Sequence, residues 1–444
     1  MNICMFTNTY LPHVGGVARS VANFTTDLRE MGHQVLVVAP TFPDRKPGED
    51  SQEVLRVPAI QNFNGSDFSV RIPLPFIINE RIDEFKPDII HSHHPFLLGD
   101  SAMRAAYRRN LPLVFTHHTL YEEYTHYVSS SSTTMRRFAS NLSTLYANLC
   151  YQVVAPSESI ADLIAERGVK RPIEIIPTGI DFNFFRQGNG GRFRQNFRIP
   201  EDARVIGHLG RLAPEKNLVY LAEAVAAAMQ KDTKVWFLVV GSGPSMTDIE
   251  KIFQNAGLVD RLVMAGKQTG ENLRDAYHAM DLFAFASKSE TQGMVLAEAM
   301  AAGLPVVALD APGAREVVED EKNGRLLSEA TKTGEFADAI ISYFSAPEAG
   351  RRWPEAATVK AKEFSRENSA RKMIQLYRRI REKDFDQLPS LLPEAIIPWD
   401  SLQRTIKAEW ELLSQKATAF VQTVQVQSGD SEREKPPSEG TNKK

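Results

Sequence analysis

Cysteine is nearly missing from this chain: Cys4 and Cys150 are the two among 444 residues, and both stand in apolar stretches. A disulfide framework is excluded, and reduced, buried thiols of a cytoplasmic protein are expected. Long hydrophobic runs are also missing, since none reaches the roughly 18 apolar residues that a membrane-crossing helix requires. The opening Met1-Asn2-Ile3-Cys4-Met5-Phe6 has neither a basic segment nor a small-residue cleavage site, so it does not read as a secretory signal. Nor is there an excess of charge. Lys and Arg number 52 against 55 Asp and Glu, a formal charge of −3 that gives no overall attraction to nucleic acid. An anionic partner must be met by local positive groups.

What is present is an ordinary globular balance, 43% hydrophobic and 24% charged, on a chain long enough for two cores. Apolar, β-branched runs alternate with longer amphipathic stretches. In the first half the pattern predicts strands at Asn2–Thr7, Gln34–Ala39, Asp88–His91, Leu113–Thr116, Gln152–Ala155 and Glu174–Ile176. Helices are predicted at Val17–Met31, Leu98–Arg109, Met135–Cys150 and Ser159–Arg167. The rhythm restarts near Arg204, with strands at Val205–Leu209, Val235–Val240, Arg261–Met264, Leu282–Ala286 and Pro305–Ala308. Helices are predicted between them at Leu218–Lys231, Met246–Ala256, Leu273–His278 and Val295–Ala302. Apolar strands separated by helices imply parallel sheets covered on both faces. The fold class is therefore α/β, two doubly wound Rossmann-like domains facing a central cleft, with ligands at the carboxyl ends of the strands.

The boundaries follow from composition. The first domain covers 1–181, a Gly-, Asn- and Arg-rich linker covers 182–200, and the second domain covers 201–354. Helical stretches follow at 355–383 and, in an accessory extension over 384–425, at Ser401–Val424. The polar segment 426–444 is expected to be disordered.

Four clusters fall at strand-to-helix turns. His13-Val14-Gly15-Gly16-Val17 opens the first helix, where glycine lets a ligand approach the backbone and free N–H groups favour an anion. Gly210-Arg211-Leu212-Ala213-Pro214-Glu215-Lys216-Asn217 sets a forked guanidinium and a mobile ammonium five residues apart, suited to two phosphates of one diphosphate. Each such charge pair is worth about 4 kcal/mol at about 4 Å and an effective dielectric of about 20, before desolvation. Two solvated surface cations are the plainer alternative. The third cluster runs Ser289-Glu290-Thr291-Gln292-Gly293-Met294 and continues to Glu298. Within one helix Glu290 and Glu298 would diverge by about 80° and about 12 Å. Glu290 is accordingly expected in the loop and Glu298 one to two turns into the helix. The N–H groups of Thr291, Gln292 and Gly293 then face a phosphate, and the two carboxylates accept hydroxyls from two sugars. A Glu inside so apolar a helix also needs a buried partner. The fourth, Val240-Gly241-Ser242-Gly243-Pro244, lacks the third glycine of a dinucleotide fingerprint, position 246 being Met. It reads as a close-approach turn lining a nucleotide, and an oxidoreductase is set aside.

Together these motifs resemble the family-4 retaining glycosyltransferases of GT-B fold. G-G-V, G-R-L-x-x-E-K-N and E-x7-E occur in that family's order and spacing over residues 1 to 382. The resemblance implies an acceptor-binding first domain and a nucleotide-sugar-binding second domain, with the helix near 355–382 crossing back to the first. It further implies that Gly16, beside Gly15, binds the donor phosphate, that Arg211 and Lys216 hold the diphosphate, that Glu290 meets the transferred sugar, and that Glu298 meets the ribose. Thr116-His117-His118-Thr119-Leu120-Tyr121-Glu122-Glu123-Tyr124 with Glu290-Thr291-Gln292-Gly293 looks like the branch containing diacylglycerol glucosyltransferases, which take UDP-glucose. Ser129–Thr134 is serine-rich where such proteins carry a less polar loop. By the same likeness His118 orients the hexose near the β-phosphate.

Eight of the ten histidines lie in the first half, five of them at His91, His93, His94, His117 and His118. Zinc is a rival reading of that cluster, but no thiolate or H-E-x-x-H accompanies it. No D-x-D pair stands at these strand ends to hold Mg²⁺ either, so neither cofactor nor metal is expected and fixed cations take that role. A lipid acceptor would call for a docking surface, for which Arg104, Arg108, Arg109, Arg136 and Arg137 are candidates, as is the amphipathic stretch Ser401–Val424. The protein is then cytoplasmic and peripheral at the inner membrane face. A sugar-nucleotide epimerase or hydrolase, a non-catalytic nucleotide-sugar-binding module, or a transferase using a soluble or isoprenoid-linked acceptor are the alternatives.

Overall fold

In a computed structural model of the chain, the short apolar runs become the strands of two parallel sheets, which bury both faces and so suit continuous rather than alternating hydrophobicity. The structure describes residues 1–13, 15–42, 53–60, 70–71, 75–118, 133–346 and 349–382. Two units divide the described chain. One comprises Met1–Ala155, Ala161–Ile175 and the described residues from Ile374, and the other Pro156–Ile160 and Ile176–Met373.

The first unit runs β1 (Asn2–Phe6), α1 (Gly16–Glu30), β2 (Gln34–Pro40), β3 (Val54–Val57), β4 (Ala59–Ile60), β5 (Val70–Arg71), α2 (Pro75–Phe85), β6 (Ile89–Ser92) and α3 (Leu98–Arg109). It continues through β7 (Leu113–Thr116), α4 (Thr133–Leu149), β8 (Gln152–Ala155), α5 (Glu158–Glu166) and β9 (Ile173–Ile175). Seven strands form one sheet in the order β3-β2-β1-β6-β7-β8-β9, while β4 and β5 make a separate antiparallel pair. The central strand β1 is fully buried from Ile3 to Phe6, with Cys4 opposite Leu36 of β2 and Ile90 of β6. Cys4 and Cys150 are free and buried, and burial pushes both thiols above their ordinary range.

The second unit runs α6 (Phe182–Phe185), α7 (Gly190–Asn196), β10 (Arg204–Leu209), α8 (Leu218–Lys231), β11 (Val235–Val240), α9 (Met246–Asn255), β12 (Leu262–Gly266), α10 (Gly270–His278), β13 (Leu282–Phe285) and α11 (Met294–Ala301). Then come β14 (Val306–Leu309), β15 (Gly324–Leu327), α12 (Thr333–Ser345), α13 (Ala349–Glu363) and α14 (Arg366–Glu382). Its sheet order is β12-β11-β10-β13-β14-β15, every pair parallel. Neighbouring strand residues face opposite cores. Val205, Phe283 and Val306 join one apolar cluster, and Ile206, Leu282 and Val307 the other.

Several expectations are corrected. Residues 182–200 are not an irregular linker. Asp181 and Asn189 cap α6 and α7 by accepting from Phe184 N and Arg192 N, and Phe182, Phe185, Phe193 and Ile199 enter the core of the second unit. The single helix expected over 355–383 is two helices, and Pro354 lies inside the first of them. Ser365 breaks the run, its Oγ accepting from Asn368 N at the start of α14. The unit boundary then falls within α14, after Met373. Strand β15 and helices α2 and α12 were not anticipated. Arg109, offered above as a headgroup cation, is held at 2.7 Å by Asp83 and donates to the carbonyl oxygens of Ala105 and Asn79. The expected helix Ser401–Val424, the extension 384–425 and the disordered segment 426–444 lie outside the described residues. No described helix is long and apolar enough to cross a membrane.

Candidate functional site

In a doubly wound sheet, the loops that diverge where strand order reverses leave a crevice at the carboxyl ends. In the second unit that point lies between β10 and β13, neighbours in the sheet though far apart in sequence. The loop after β10 carries Arg211 to Asn217, and the loop after β13 carries Ser287 to Gly293. Two bonds tie them together, Asn217 Nδ2 donating to Ala286 O at 3.2 Å and Ser289 Oγ to Glu215 O at 3.1 Å. Pro214–Lys216 is a single 3-10 turn, and Asn217 in the left-handed region turns the chain into α8. The outcome is contact between Lys216 Nζ and Glu290 Oε1 at 2.5 Å, both side chains about one-fifth exposed (18% and 20%). Arg211, more exposed, pairs with Glu215. Neither cation stands bare: each is paired with a carboxylate that these loops supply.

The turn into α11 is just as tightly built. Gly293 has φ +68°, and a Cβ there would lie 2.3 Å from Gly313 O, so a side chain is excluded on both counts. Helix α11 has no side-chain cap and no acidic residue in its first turn, which leaves its N-terminus receptive to an anion. The Gln292 side chain is spent on structure: Oε1 accepts from Thr178 N at 2.7 Å and Nε2 donates to Thr178 O at 2.6 Å. Thr291 O accepts from Ser157 Oγ at 2.7 Å. Of these two residues it is the main chain, not the Gln292 amide, that is left for a ligand. Glu298 is buried inside α11, and its Oε2 accepts from the buried Tyr277 hydroxyl at 2.8 Å, the partner its apolar setting demands.

Gly241, expected to let a nucleotide approach, is required by the backbone itself. Its φ is +143°, and a Cβ would sit 1.9 Å from Gly210 O. Leu212 N donates to Ser242 O, which seals the two loops against each other. His208, on β10, went unremarked in the sequence. It lies beside Phe283 and Phe285, its Nδ1 is 3.2 Å from Ala284 O, and its buried Nε2 has no partner among the described residues. Burial pulls its pKa down to about 4, with Lys216 and Glu290 acting on it in opposite directions.

In the first unit the order reverses between β1 and β6. Gly15 is the N-cap of α1 and Gly16 its first residue, again with no side-chain cap and no acidic first turn. A Cβ on Gly16 would meet nothing within 4 Å. Crowding does not explain that glycine. The strand ends beyond β6 and β7 bring the histidines together. His91 Nδ1 lies 2.5 Å from the Tyr377 hydroxyl and Nε2 2.7 Å from Thr116 Oγ1. His93 stacks on His91 (centroids 4.2 Å apart) and lies edge to edge with His118 (5.1 Å), its Nδ1 2.9 Å from His118 Nε2. Burial, then neighbouring imidazoles, hold His93 and His118 well below the usual histidine range, so both are neutral near pH 7. Among the described residues no three His, Cys, Asp or Glu side chains are grouped to hold a metal ion.

Comparison with known proteins bears directly on these loops. The family described as Glycosyltransferase Family 4 matches residues 14–184, and Glycosyl transferases group 1 matches residues 191–360. An alpha-monoglucosyldiacylglycerol synthase of Streptococcus pneumoniae is 31% identical over 77% of this chain and 79% of its own length. The chain belongs to the family-4 glycosyltransferases. A synthase of the same description from Acholeplasma laidlawii is 27% identical over 87% of this glycosyltransferase and 99% of its own length. A GDP-mannose-dependent alpha-mannosyltransferase of Mycobacterium tuberculosis is 28% identical over 77% and 87%. Among solved structures, HepE of Anabaena in complex with UDP superposes with TM-score 0.68 at 20% identity, over 85% of this chain and all of that one. That likeness shows the fold.

In this glycosyltransferase the second unit brings Lys216 and Glu290 together and sets Arg211 on the same loop as Lys216. Thr291 and Gly293 form the turn that ends at α11, and Glu298 lies within that helix. Gly15, Gly16 and His118 belong to the first unit. Residues Thr119–Tyr124 lie outside the described residues. Sequence reasoning missed the braces Thr178, Ser157, Tyr277 and His208, which carry no motif, and it gave His93 no role beside His118. The one available signal was a histidine inside the apolar run Val205–Leu209. An ammonium touching a carboxylate beside an uncapped helix can receive a phosphate and a sugar hydroxyl.

Proposed function

We propose that the enzyme transfers glucose from UDP-glucose, with retention and without a metal ion, to a hydroxyl of a membrane lipid such as diacylglycerol. The observation that carries the reading is the Lys216–Glu290 contact at the strand-order reversal, which combines a fixed cation for the diphosphate with a carboxylate for hexose hydroxyls. Arg211 adds a second cation. Backbone N–H groups at Gly16 and at the start of α11 supply the remaining donors for phosphate oxygens. The glucosyl donor and lipid acceptor are supported by the two synthases named above.

The reaction is a same-face displacement. The bond from the anomeric carbon to the diphosphate oxygen breaks, and the acceptor oxygen forms its bond on that same face. The hydroxyl proton passes to the departing phosphate oxygen, and UDP leaves. Protein groups lower the barrier by stabilising the charge that grows on the diphosphate and by aligning the substrates. His118 is assigned to orienting the hexose and Glu298 to the ribose. A peripheral position at the inner membrane face follows from the lipid acceptor.

The test is a radiolabel transfer assay with UDP-glucose and GDP-mannose in parallel, against lipid extract and soluble acceptors, with and without EDTA. EDTA-resistant label in a glycolipid from UDP-glucose is the expected result. Label from GDP-mannose instead would move this enzyme toward the mannosyltransferases it also resembles. Turnover of UDP-glucose without acceptor would point to an epimerase or hydrolase.

A further inference from the structure

The histidine pair in the first unit carries more than the donor reading uses. His93 is fully buried, and its Nδ1 lies 2.9 Å from Nε2 of the partly exposed His118. One of the two must donate, and which one decides what His118 offers to a ligand. A neutral imidazole carries a single N–H. If His118 donated from Nε2, the proton of His93 would sit on its Nε2, a buried atom with no hydrogen-bond partner among the described residues. If His93 donates from Nδ1, its Nε2 is a bare lone pair and no N–H is orphaned. An orphaned buried N–H is the rarer of the two situations. Stacking against His91 holds the His93 ring in place to make this bond.

We propose that His93 is a positioning residue that holds His118 in its Nδ1–H form, so that His118 meets the nucleotide-sugar as a hydrogen-bond donor rather than an acceptor. This rests on His118 belonging to the donor site. A donor there suits a phosphate oxygen or a sugar hydroxyl oxygen, and it excludes general-base work by His118, whose acceptor nitrogen is already engaged by His93.

The experiment reads the tautomer directly. Full-length protein is labelled with ¹⁵N-histidine, and long-range ¹H–¹⁵N spectra are taken near pH 7.5 without substrate, the His118 signals being identified by their loss in His118→Asn. A His118 pattern with Nδ1 protonated and Nε2 bare is expected. Protonation at Nε2 overturns the proposal without recourse to any His93 variant. In His93→Phe, which keeps the stacked ring and removes the donor, the pattern should change, and in His93→Asn, whose amide can donate from the place of Nδ1, it should persist. An unchanged pattern in His93→Phe also overturns it. In the transfer assay His93→Phe should lose about tenfold in kcat/KM, as expected for one hydrogen bond, and should lose nothing further in a His118→Asn background. Full additivity of the two losses overturns the coupling. If His118→Asn leaves transfer intact, the donor-site reading of His118 falls, and the substrate-free spectrum still decides the tautomer.

Discussion

Removing the Glu290 charge should tighten the binding of UDP while slowing transfer. Lys216 is engaged by Glu290 at 2.5 Å, with both side chains mostly shielded from water. A diphosphate that needs Lys216 must therefore compete with a carboxylate already in place. A charge-assisted hydrogen bond of this kind has a net worth of about 1–2 kcal/mol, the lower end applying because some solvent still reaches both groups. Glu290→Gln keeps the shape and removes most of that competition. The expected gain is therefore about 5- to 30-fold in UDP affinity, since about 1.4 kcal/mol is a factor of ten. On the role proposed for Glu290, the sugar-bearing donor loses its charged hydroxyl acceptor in the same variant, so kcat should fall by at least about tenfold. Titration calorimetry with UDP, beside the transfer assay and a thermal melt, separates the two effects. Unchanged or weaker UDP binding in a folded Glu290→Gln protein would refute the competition.

Lys216→Ala should reduce kcat by about 10²–10³, the usual effect of deleting one donor to a developing anion, with a melting point within a few degrees of wild type. Turnover within a few-fold of wild type removes Lys216 from the mechanism. Gly16→Ala should leave stability unchanged, because the new methyl meets nothing within 4 Å, yet lower kcat/KM at least about tenfold if a phosphate needs that space. Gly241→Ala should destabilise by about 2 kcal/mol or more, because its Cβ would lie 1.9 Å from Gly210 O at φ +143°. Melting curves of the two variants side by side decide between a ligand glycine and a packing glycine. Stability should also drop in mild acid. The unfolded chain protonates its imidazoles near pH 6.5, whereas His91 and His94, pulled down by burial to about 3, and His208, to about 4, stay neutral in the fold. Their contribution is complete above pH 6.5 and declines at up to about 1.4 kcal/mol per pH unit for each group as pH falls toward 4. A melting temperature that is flat from pH 7 to 5 contradicts this.

Much of the architecture could be read locally, because both signals it rests on are local. Leu113–Thr116, Gln152–Ala155 and Val235–Val240 are apolar runs bounded by turn residues, and each is a strand at the expected bounds. Leu98–Arg109 and Leu218–Lys231 show helical periodicity and are helices over the same residues. Errors arose where one composition serves two purposes. Asn189 and Gly190 look like linker residues, but in the structure they are the N-cap and first residue of α7. Strand β15 (Gly324–Leu327) is four residues long with a charged Arg325, too short and mixed to stand out.

The order of strands, by contrast, is written in no window of sequence. That β10 pairs with β13, and β1 with β6, follows from how the helices cover both faces of each sheet, and only this order brings Lys216 to Glu290 across 74 positions. Sequence by itself determined the doubly wound class, the turns that carry the charged groups and the glycines at helix starts, since spacing and backbone sterics act over a few residues. Tertiary structure alone decided that the cations are already paired, that the Gln292 amide is a brace, that Gly241 makes room for a backbone, and that His93 stands behind His118. Each of these depends on which atoms from distant segments are within reach of one another, a quantity that only the packed chain defines.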